Sequence, residues 1–407
     1  MRRSKRSLFV RVSLPVVSLA AFALVTGFGG SSHTAQTFTI DIDGKNPAAN
    51  EAFLSYFPNT VTVHPGDSVV FDMAGNGEPH TATFGTLANA AVKAFSSLSP
   101  SQQQNPPKSV IAIDAKVPQL LPNGPGDAIQ VAANPCVIAN GIPSSKGPCP
   151  AKAIPDFDGT QAYYNSGWLD SNQKFTVKIS SSTAPGTYRF LCLLHREGMS
   201  GKVVVVPSSK AIPTPAAQFA VGQKQLKTVE SQLASAVALE RKGKLPVPGV
   251  KLPGPNAVLA GSGSPTANFG EITEFGPKVV KIPVGGKVTW FIIGPHSITF
   301  NSDKTNGDIR SVAADGSIHV NAKALAPANA PGEPQPSKNA PTSGIHFKVV
   351  ASTKWDGQGF LNTGVFGNSF GPPLIEGYSI TFTKAGTYNY ICTVHDDMKG
   401  TIVVGGG

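Results

Sequence analysis

The chain has 407 residues, of which 40% are hydrophobic and only 14% charged, and it contains 43 glycines and 35 prolines. This length allows two or three domains, and the composition favours turn-rich β structure over a helical bundle. The formal net charge is +10, but five of the 34 basic residues lie within the first 11 positions, and no basic cluster with interleaved aromatic residues occurs elsewhere, which argues against nucleic-acid binding.

Residues 1–35 are predicted to be an export signal. A basic stretch ends at Arg11, an apolar stretch runs from Leu14 to Phe28, and small residues follow it. The apolar stretch is short for a spanning helix, which needs about 20 residues, and an uncleaved N-terminal anchor is the alternative. Either interpretation predicts an extracytoplasmic protein that is secreted, periplasmic or on the cell surface, with membrane association in the anchored case.

The four cysteines divide into two contexts. Cys136 and Cys149 lie close together in a Pro/Gly-rich stretch, and in an exported chain they are predicted to form a disulfide. Cys192 and Cys392 lie 200 residues apart in matching sequences. We therefore expect these two to remain unpaired and to serve a local purpose.

An internal repeat underlies that match. The sequence GTYRFLCLLHREGMSG of residues 186–201 recurs as GTYNYICTVHDDMKG at residues 386–400, and both copies continue into β-branched strands. Upstream, each copy has a Pro-His step and an Asn-Ser-Gly or Asn-Thr-Gly sequence. Apolar residues alternate with polar ones between Gly and Pro turns, which indicates half-buried antiparallel strands. The repeat predicts two β-sandwiches in tandem.

The fold class is predicted to be all-β, with two tandem sandwich domains and a short helical linker. The first domain spans residues 36–207 with an insertion at about 87–155, and the second spans 254–407 with an insertion at about 304–355. The linker, 208–253, has apolar residues at three- and four-residue spacing over 216–242, which predicts a one-sided helix. We expect this helix to dock on one sandwich, a membrane or partner helix being the alternative, and the insertions to be surface excursions.

Each copy of the repeat contains a set of soft and borderline metal ligands. A thiolate, two imidazoles and a weak axial thioether form a type 1 copper site, since this mixture accommodates both Cu(I) and Cu(II). Three of the residues share one loop, and a histidine arrives from an earlier strand. The predicted ligands are His80, Cys192, His195 and Met199 in the first domain, and His296, Cys392, His395 and Met398 in the second.

These motifs resemble those of the plastocyanin/azurin group of blue copper proteins, the cupredoxins. The resemblance rests on the aromatic-x-Cys-x2-His-x2–4-Met-x-Gly stretch together with the Pro-His and Asn-Ser/Thr-Gly sequences. It implies Greek-key sandwiches that bind one copper ion each and transfer electrons to partner redox proteins. It also implies that Thr81 and Ser297 tie the histidine strand to the cysteine loop, and that His195 and His395 expose an imidazole edge.

The other four histidines are not predicted to be ligands. His33 lies beside the signal, His64 is expected in a solvated turn, and His319 and His346 belong to the second insertion. None has a cysteine or a second histidine at ligand spacing.

Three functions are compatible with two type 1 sites: an electron carrier, a copper storage or delivery protein, and a multicopper oxidase or nitrite reductase. Those enzymes connect the type 1 site to a second copper through a histidine beside the cysteine and through His-x-His pairs. Here Leu191 and Leu193 flank Cys192, and the sequence contains no His-x-His. We therefore predict a carrier rather than an enzyme, with copper handling as the alternative that uses the same ligands.

Overall fold

A computed structural model describes residues 33–44, 50–73, 79–99, 102–103, 106–118, 155–245, 249–263, 270–303, 307–312, 318–330, 345–366, 374–395 and 397–405. The predicted export signal up to residue 32 and the predicted Cys136–Cys149 disulfide lie outside these residues. Residues Ala35–Gly407 form one compact unit. The predicted domain boundaries within this unit remain predictions.

The N-terminal sandwich consists of two sheets, with strand orders β3-β1-β5-β8 and β4-β10-β9-β6-β7. Its strands, together with the short β2, are β1 (Thr37–Ile42), β2 (Glu51–Phe53), β3 (Tyr56–Phe57), β4 (Thr60–Val63), β5 (Ser68–Met73), β6 (Thr83–Phe84), β7 (Tyr164–Asn165), β8 (Lys174–Lys178), β9 (Gly186–Cys192) and β10 (Arg196–Val205).

Alternation along these strands directs one face of each sheet inward. In β5, the side chains of Val69, Phe71 and Met73 are fully buried, whereas the residues between them are partly exposed. Phe71 meets Phe84 and Phe190 of the opposite sheet in edge-to-face contacts, with ring centroids 5.6 and 5.0 Å away. Burial of each phenylalanine contributes about 1.5–3 kcal/mol, so this aromatic contact joins the two sheets.

The C-terminal sandwich also consists of two sheets, with orders β18-β20-β14-β11-β12-β2 and β13-β22-β21-β15-β19, and β16 and β17 form a separate two-stranded sheet. Its strands are β11 (Ala257–Gly263), β12 (Gly270–Gly276), β13 (Val279–Pro283), β14 (Lys287–Ile292), β15 (Thr299–Phe300), β16 (Arg310–Val312), β17 (Ile318–Val320), β18 (His346–Trp355), β19 (Leu361–Asn362), β20 (Leu374–Phe382), β21 (Gly386–Ile391) and β22 (Lys399–Gly405). Trp290, Phe300 and Tyr390 fill its core. The predicted all-β sandwich class is confirmed.

Strand β2 leaves its own sandwich and extends the sheet of the other. It lies antiparallel to β12, with Phe53 opposite Gly270, Ala52 opposite Glu271 and Glu51 opposite Ile272. We call Glu51–Phe53 the bridging strand. Through this pairing, a strand from the N-terminal part of the chain joins a sheet of the C-terminal sandwich. The bridging strand also protects the edge of β12 from solvent and from other strands.

The linker helix α3 contacts both sandwiches. In chain order the helices are α1 (Thr86–Ser96), α2 (Lys108–Asp114), α3 (Pro215–Glu240) and α4 (Ala322–Leu325). Thr214 caps helix α3, because its hydroxyl accepts the Ala217 N–H at 3.2 Å. Pro215 occupies the first helical position, where proline is favoured. It lies against β1 and β3 on one side and β11 and β12 on the other, so the prediction that it docks on one sandwich was wrong. No described helix is long and apolar enough to cross a membrane.

The described parts of the insertions are more ordered than predicted. Helix α1 packs on β9 and β10 and buries Ala88, Ala91 and Val92. In the second insertion, β18 pairs along its whole length with β20. Helix α1 has an apolar face that β9 and β10 cover, whereas β18 buries only Trp355 and leaves Val349 exposed. The first segment is therefore packed on the sandwich, and the second is an ordered strand at the surface.

Candidate metal centres

The structure brings together the N-terminal residues that the repeat singles out. The Nδ1 atoms of His80 and His195 lie 3.2 Å apart, and Nδ1 of His80 lies 3.7 Å from the Cys192 sulfur. Ligand atoms of these three residues all lie within 4.8 Å of one another. Met199 is fully buried in the same cluster of side chains as Cys192. We call His80, Cys192, His195 and Met199 the N-terminal cluster.

The C-terminal residues converge in the same way. The Nδ1 atoms of His296 and His395 lie 3.0 Å apart, and they lie 3.8 and 3.6 Å from the Cys392 sulfur. Met398 is fully buried with Cys392. Its N–H donates to the His395 carbonyl, and its own carbonyl accepts the Cys392 N–H, both at 3.0 Å. We call His296, Cys392, His395 and Met398 the C-terminal cluster.

A backbone pair holds each upstream histidine. His80 exchanges two hydrogen bonds with Leu169, of 3.1 and 2.9 Å, and His296 does the same with Phe366, at 3.2 and 3.0 Å. Leu169 and Phe366 each lie two residues after the glycine of the Asn-Ser-Gly or Asn-Thr-Gly sequence. The upstream motifs of the repeat therefore fix the position of the histidine backbone.

The residue after each histidine ties its strand to the cysteine loop, as the resemblance implied. The Thr81 hydroxyl accepts the Leu193 N–H at 2.8 Å, and the Thr81 N–H donates to the Cys192 sulfur at 3.4 Å. Ser297 makes the equivalent bonds to the Thr393 N–H at 2.9 Å and to the Cys392 sulfur at 3.4 Å. Amide donors to a thiolate favour its charged form, so these contacts suit a metal ligand.

Two buried carboxylates near the histidines were missed by sequence reasoning. Oδ2 of Asp43 lies 3.5 Å from His80 Nε2, and Oε1 of Glu271 lies 3.2 Å from His296 Nε2. These are ion-pair contacts rather than well-aligned hydrogen bonds. Each faces the imidazole nitrogen that points away from the cysteine, an arrangement that fixes the ring and its tautomer in metal sites. The only feature of the sequence that could have indicated these two carboxylates is the position of an acidic residue in or next to an apolar strand.

Electrostatics in both clusters favour thiolate sulfur. Burial alone would raise the pKa of Cys192 and Cys392, but contacts with the two histidines of each cluster outweigh it and hold both pKa values well below the usual range. Burial would lower the pKa of His80, but Asp43 and Cys192 raise it to about 9. For His296, Cys392 and Glu271 oppose burial and raise the pKa to about 10.

The two clusters differ in exposure. His195 is half-buried, whereas His395 is only 3% exposed. The expectation that both histidines present an edge to solvent is therefore wrong for His395. Asn50, beside the bridging strand, donates its side-chain N–H to the carbonyl of Asp397 at 2.8 Å, in the loop that carries His395.

The chemistry of the donors fits copper. Each cluster offers one thiolate and two imidazole nitrogens of matching type, with a buried methionine six or seven positions after the cysteine, and soft sulfur with imidazole is the ligand set of type 1 copper sites. The six predicted histidine and cysteine ligands lie together in these two clusters, and the assignment of Met199 and Met398 as axial ligands remains a prediction.

Among the histidines that are not predicted ligands, His64 has a different environment from the one expected. His64 is buried rather than solvated, and its Nε2 lies 2.8 Å from the Lys210 carbonyl. The side chain of His346 is exposed at the start of β18. These environments do not alter the predicted ligand sets.

Comparisons with known proteins agree with the motifs over part of the chain. No family model matches the sequence. A segment of 73 residues, 16% of this chain, is 37% identical to amicyanin from Paracoccus denitrificans and spans 56% of the length of that protein. Part of this chain is similar to a cupredoxin. This similarity supports copper binding and a cupredoxin-like fold for the part that it covers.

Solved structures give weaker likenesses. Reduced auracyanin from Roseiflexus castenholzii matches with 20% identity over 43% of this chain and all of that chain, at a TM-score of 0.22. A mutant plastocyanin of a fern matches with 16% identity over 41% of this chain and 99% of that chain, at a TM-score of 0.18.

Proposed function

We propose that this chain is an exported electron-transfer protein with two mononuclear type 1 copper sites, one in each sandwich. The observation that carries the proposal is that each of the two clusters has one buried thiol next to two histidine Nδ1 atoms, which lie 3.2 Å apart in one cluster and 3.0 Å apart in the other. Bound copper would supply a one-electron Cu(I)/Cu(II) couple.

The protein's own residues favour electron transfer over catalysis. His80, Cys192 and His195 approach from one strand and one loop, and backbone and hydroxyl bonds fix both. A metal held by three such ligands and an axial methionine has no open position, which a catalytic metal needs. The missing His-x-His pairs agree with this interpretation, so we propose a carrier and not an enzyme. Its partners would be other redox proteins outside the cytoplasm.

The test is a copper count and spectrum of the purified oxidised protein. We expect two copper ions per chain and an intense blue absorption that a mild reductant bleaches and an oxidised partner restores. Oxygen and nitrite consumption would be measured in parallel, and sustained turnover of either would contradict the carrier assignment. Release of copper to a weak chelator without reversible bleaching would instead favour storage or delivery.

A further inference from the structure

Asp43 links the N-terminal cluster to the bridging strand. Its side chain is almost fully buried, and its two oxygens have different partners. Oδ2 faces His80 Nε2 at 3.5 Å, whereas Oδ1 accepts the N–H of Phe53 at 2.5 Å and that of Gly44 at 2.6 Å. One carboxylate therefore contacts both a predicted ligand and a residue of the strand that enters the other sandwich.

Glu271 makes the corresponding contact at the other end. It lies on β12 opposite Ala52 of the bridging strand, and its Oε1 lies 3.2 Å from His296 Nε2. The path from His80 to His296 therefore runs through two carboxylate contacts and one pair of neighbouring strands. Every side chain on it is buried.

Two further contacts place the clusters on a common interface. Asn50, one residue before the bridging strand, donates to Asp397 in the loop of the C-terminal cluster and accepts the Thr273 N–H at 2.9 Å. In addition, Trp168 and Leu193, which neighbour the N-terminal cluster, belong to the same buried apolar group as the C-terminal core. Packed protein rather than solvent separates the two clusters at this interface.

We propose that Asp43, the bridging strand and Glu271 form a relay that passes single electrons between the two sites within one molecule. The inference rests on the proposed function, because it requires a redox ion at each cluster. In each transfer one site is oxidised as the other is reduced by the same electron, and no further reactant takes part. The relay gives the second site a purpose that the sequence did not reveal.

The different exposure of His195 and His395 determines which site exchanges electrons with an external partner. His195 is half-buried and accessible to an external partner, whereas His395 is 3% exposed. External electrons therefore enter and leave at the N-terminal site, and the C-terminal site exchanges them through the relay.

Asp43→Asn is the variant that cuts the relay with the least disturbance. Asp43 has a positive φ of 61°, a conformation that asparagine tolerates well. The two backbone donors keep the amide oxygen in the place of Oδ1, so the amide nitrogen replaces Oδ2 and opposes His80 Nε2. The matched control is Asp72→Asn, because Asp72 binds Lys174 at the surface, at 2.6 Å, and contacts neither cluster.

The first measurement follows electron redistribution after a pulse of sub-stoichiometric reductant. Reference spectra of the two sites come from Cys192→Ser and Cys392→Ser proteins, and a Met398→Leu background drives electrons towards the C-terminal site. We expect a phase whose rate does not depend on protein concentration, slowed roughly 10–100-fold by Asp43→Asn at matched driving force and unchanged by Asp72→Asn. Glu271→Gln should slow it comparably, which covers the case of a poorly folded Asp43 variant.

The second measurement needs no electron transfer. Cu(I) is added to Cys392→Ser protein, which keeps only the N-terminal cluster, and amide resonances are recorded by NMR. We expect those of Phe53 and Glu271 to shift, and the shift at Glu271 to be lost with Asp43→Asn. Unmoved resonances at both residues would overturn the relay.

The outcomes separate the relay from the function beneath it. If the chain binds no copper or lacks the blue absorption, the proposed function fails. If both sites bind copper and are reduced, but the C-terminal site reacts only in proportion to the external reductant, the relay alone is wrong. A rate that Asp43→Asn and Asp72→Asn alter equally would also exclude the path through Asp43.

Discussion

The two clusters share a ligand order and a backbone frame but differ in their surroundings. In the N-terminal cluster, the carboxylate beside the upstream histidine follows the first strand of the same sandwich, and His195 is half-buried. In the C-terminal cluster, that carboxylate lies on the strand that pairs with the other sandwich, and His395 is buried. Two copies of a repeat can therefore have the same ligand types while their tertiary contacts give the loop histidine of each copy a different exposure to solvent.

The largest expected effect tests whether the clusters are independent. Cys192→Ser should abolish the N-terminal site and leave the other, and Cys392→Ser should do the reverse, because each ligand set is complete within its own sandwich. Copper content and blue absorption should each fall by about half. If either substitution removed all copper and all colour, a single shared site would be the better description.

Gly261→Ala should damage only the C-terminal cluster. Gly261 has a positive φ of 73°, and an added Cβ would overlap His296 Nε2 and the Ile293 carbonyl. We expect a backbone cost of about 1–3 kcal/mol and loss of copper affinity at that cluster alone, measured by competition with a Cu(I) chelator. The N-terminal cluster is the internal control, and its affinity should not change.

Removal of the hydroxyl that joins strand to loop should cost less. Thr81→Ala leaves the Leu193 N–H without its acceptor, and we expect a loss of about 1 kcal/mol in the free energy of unfolding. Ser297→Ala should cost more, about 2 kcal/mol, because Ser297 contacts both the N–H and the hydroxyl of Thr393. Urea denaturation of copper-free protein measures both values, and Thr81→Ser should restore most of the first loss. Equal costs would mean that the extra contact is not stabilising.

Axial substitutions should change the potentials without removing the sites. Met199→Leu or Met398→Leu should raise the potential of its own site and keep the colour, whereas glutamine should lower it, because the axial ligand tunes the potential. Spectroelectrochemical titration of the single-site proteins separates the two values. A variant that loses its copper would show that the methionine has a larger role in binding than a weak axial ligand.

The sequence predicted the ligand loops well because three of the residues in each share one short segment, which brings them together whatever surrounds it. It predicted the hydroxyl contacts of Thr81 and Ser297 through resemblance. It did not reveal Asp43 or Glu271, because the two occupy unrelated places in the repeat and act only after distant strands meet. The bounds of helix α3 were predicted to within two residues. An apolar stripe in the sequence does not indicate whether one sandwich or both will cover it.

The shared sheet has a consequence for dissection of the chain. If residues 208–407 were produced alone, β12 would lose Glu51–Phe53 and expose a row of unpaired N–H and C=O groups, which is a template for association with other chains. The helix face of α3, with Leu226 and Leu233, would lose its partners Phe53 and Phe57 in the same cut. A cut at residue 207 would thus convert a paired strand edge into an exposed edge that can associate with other chains. A fragment for expression should therefore begin before β1 and end after β22.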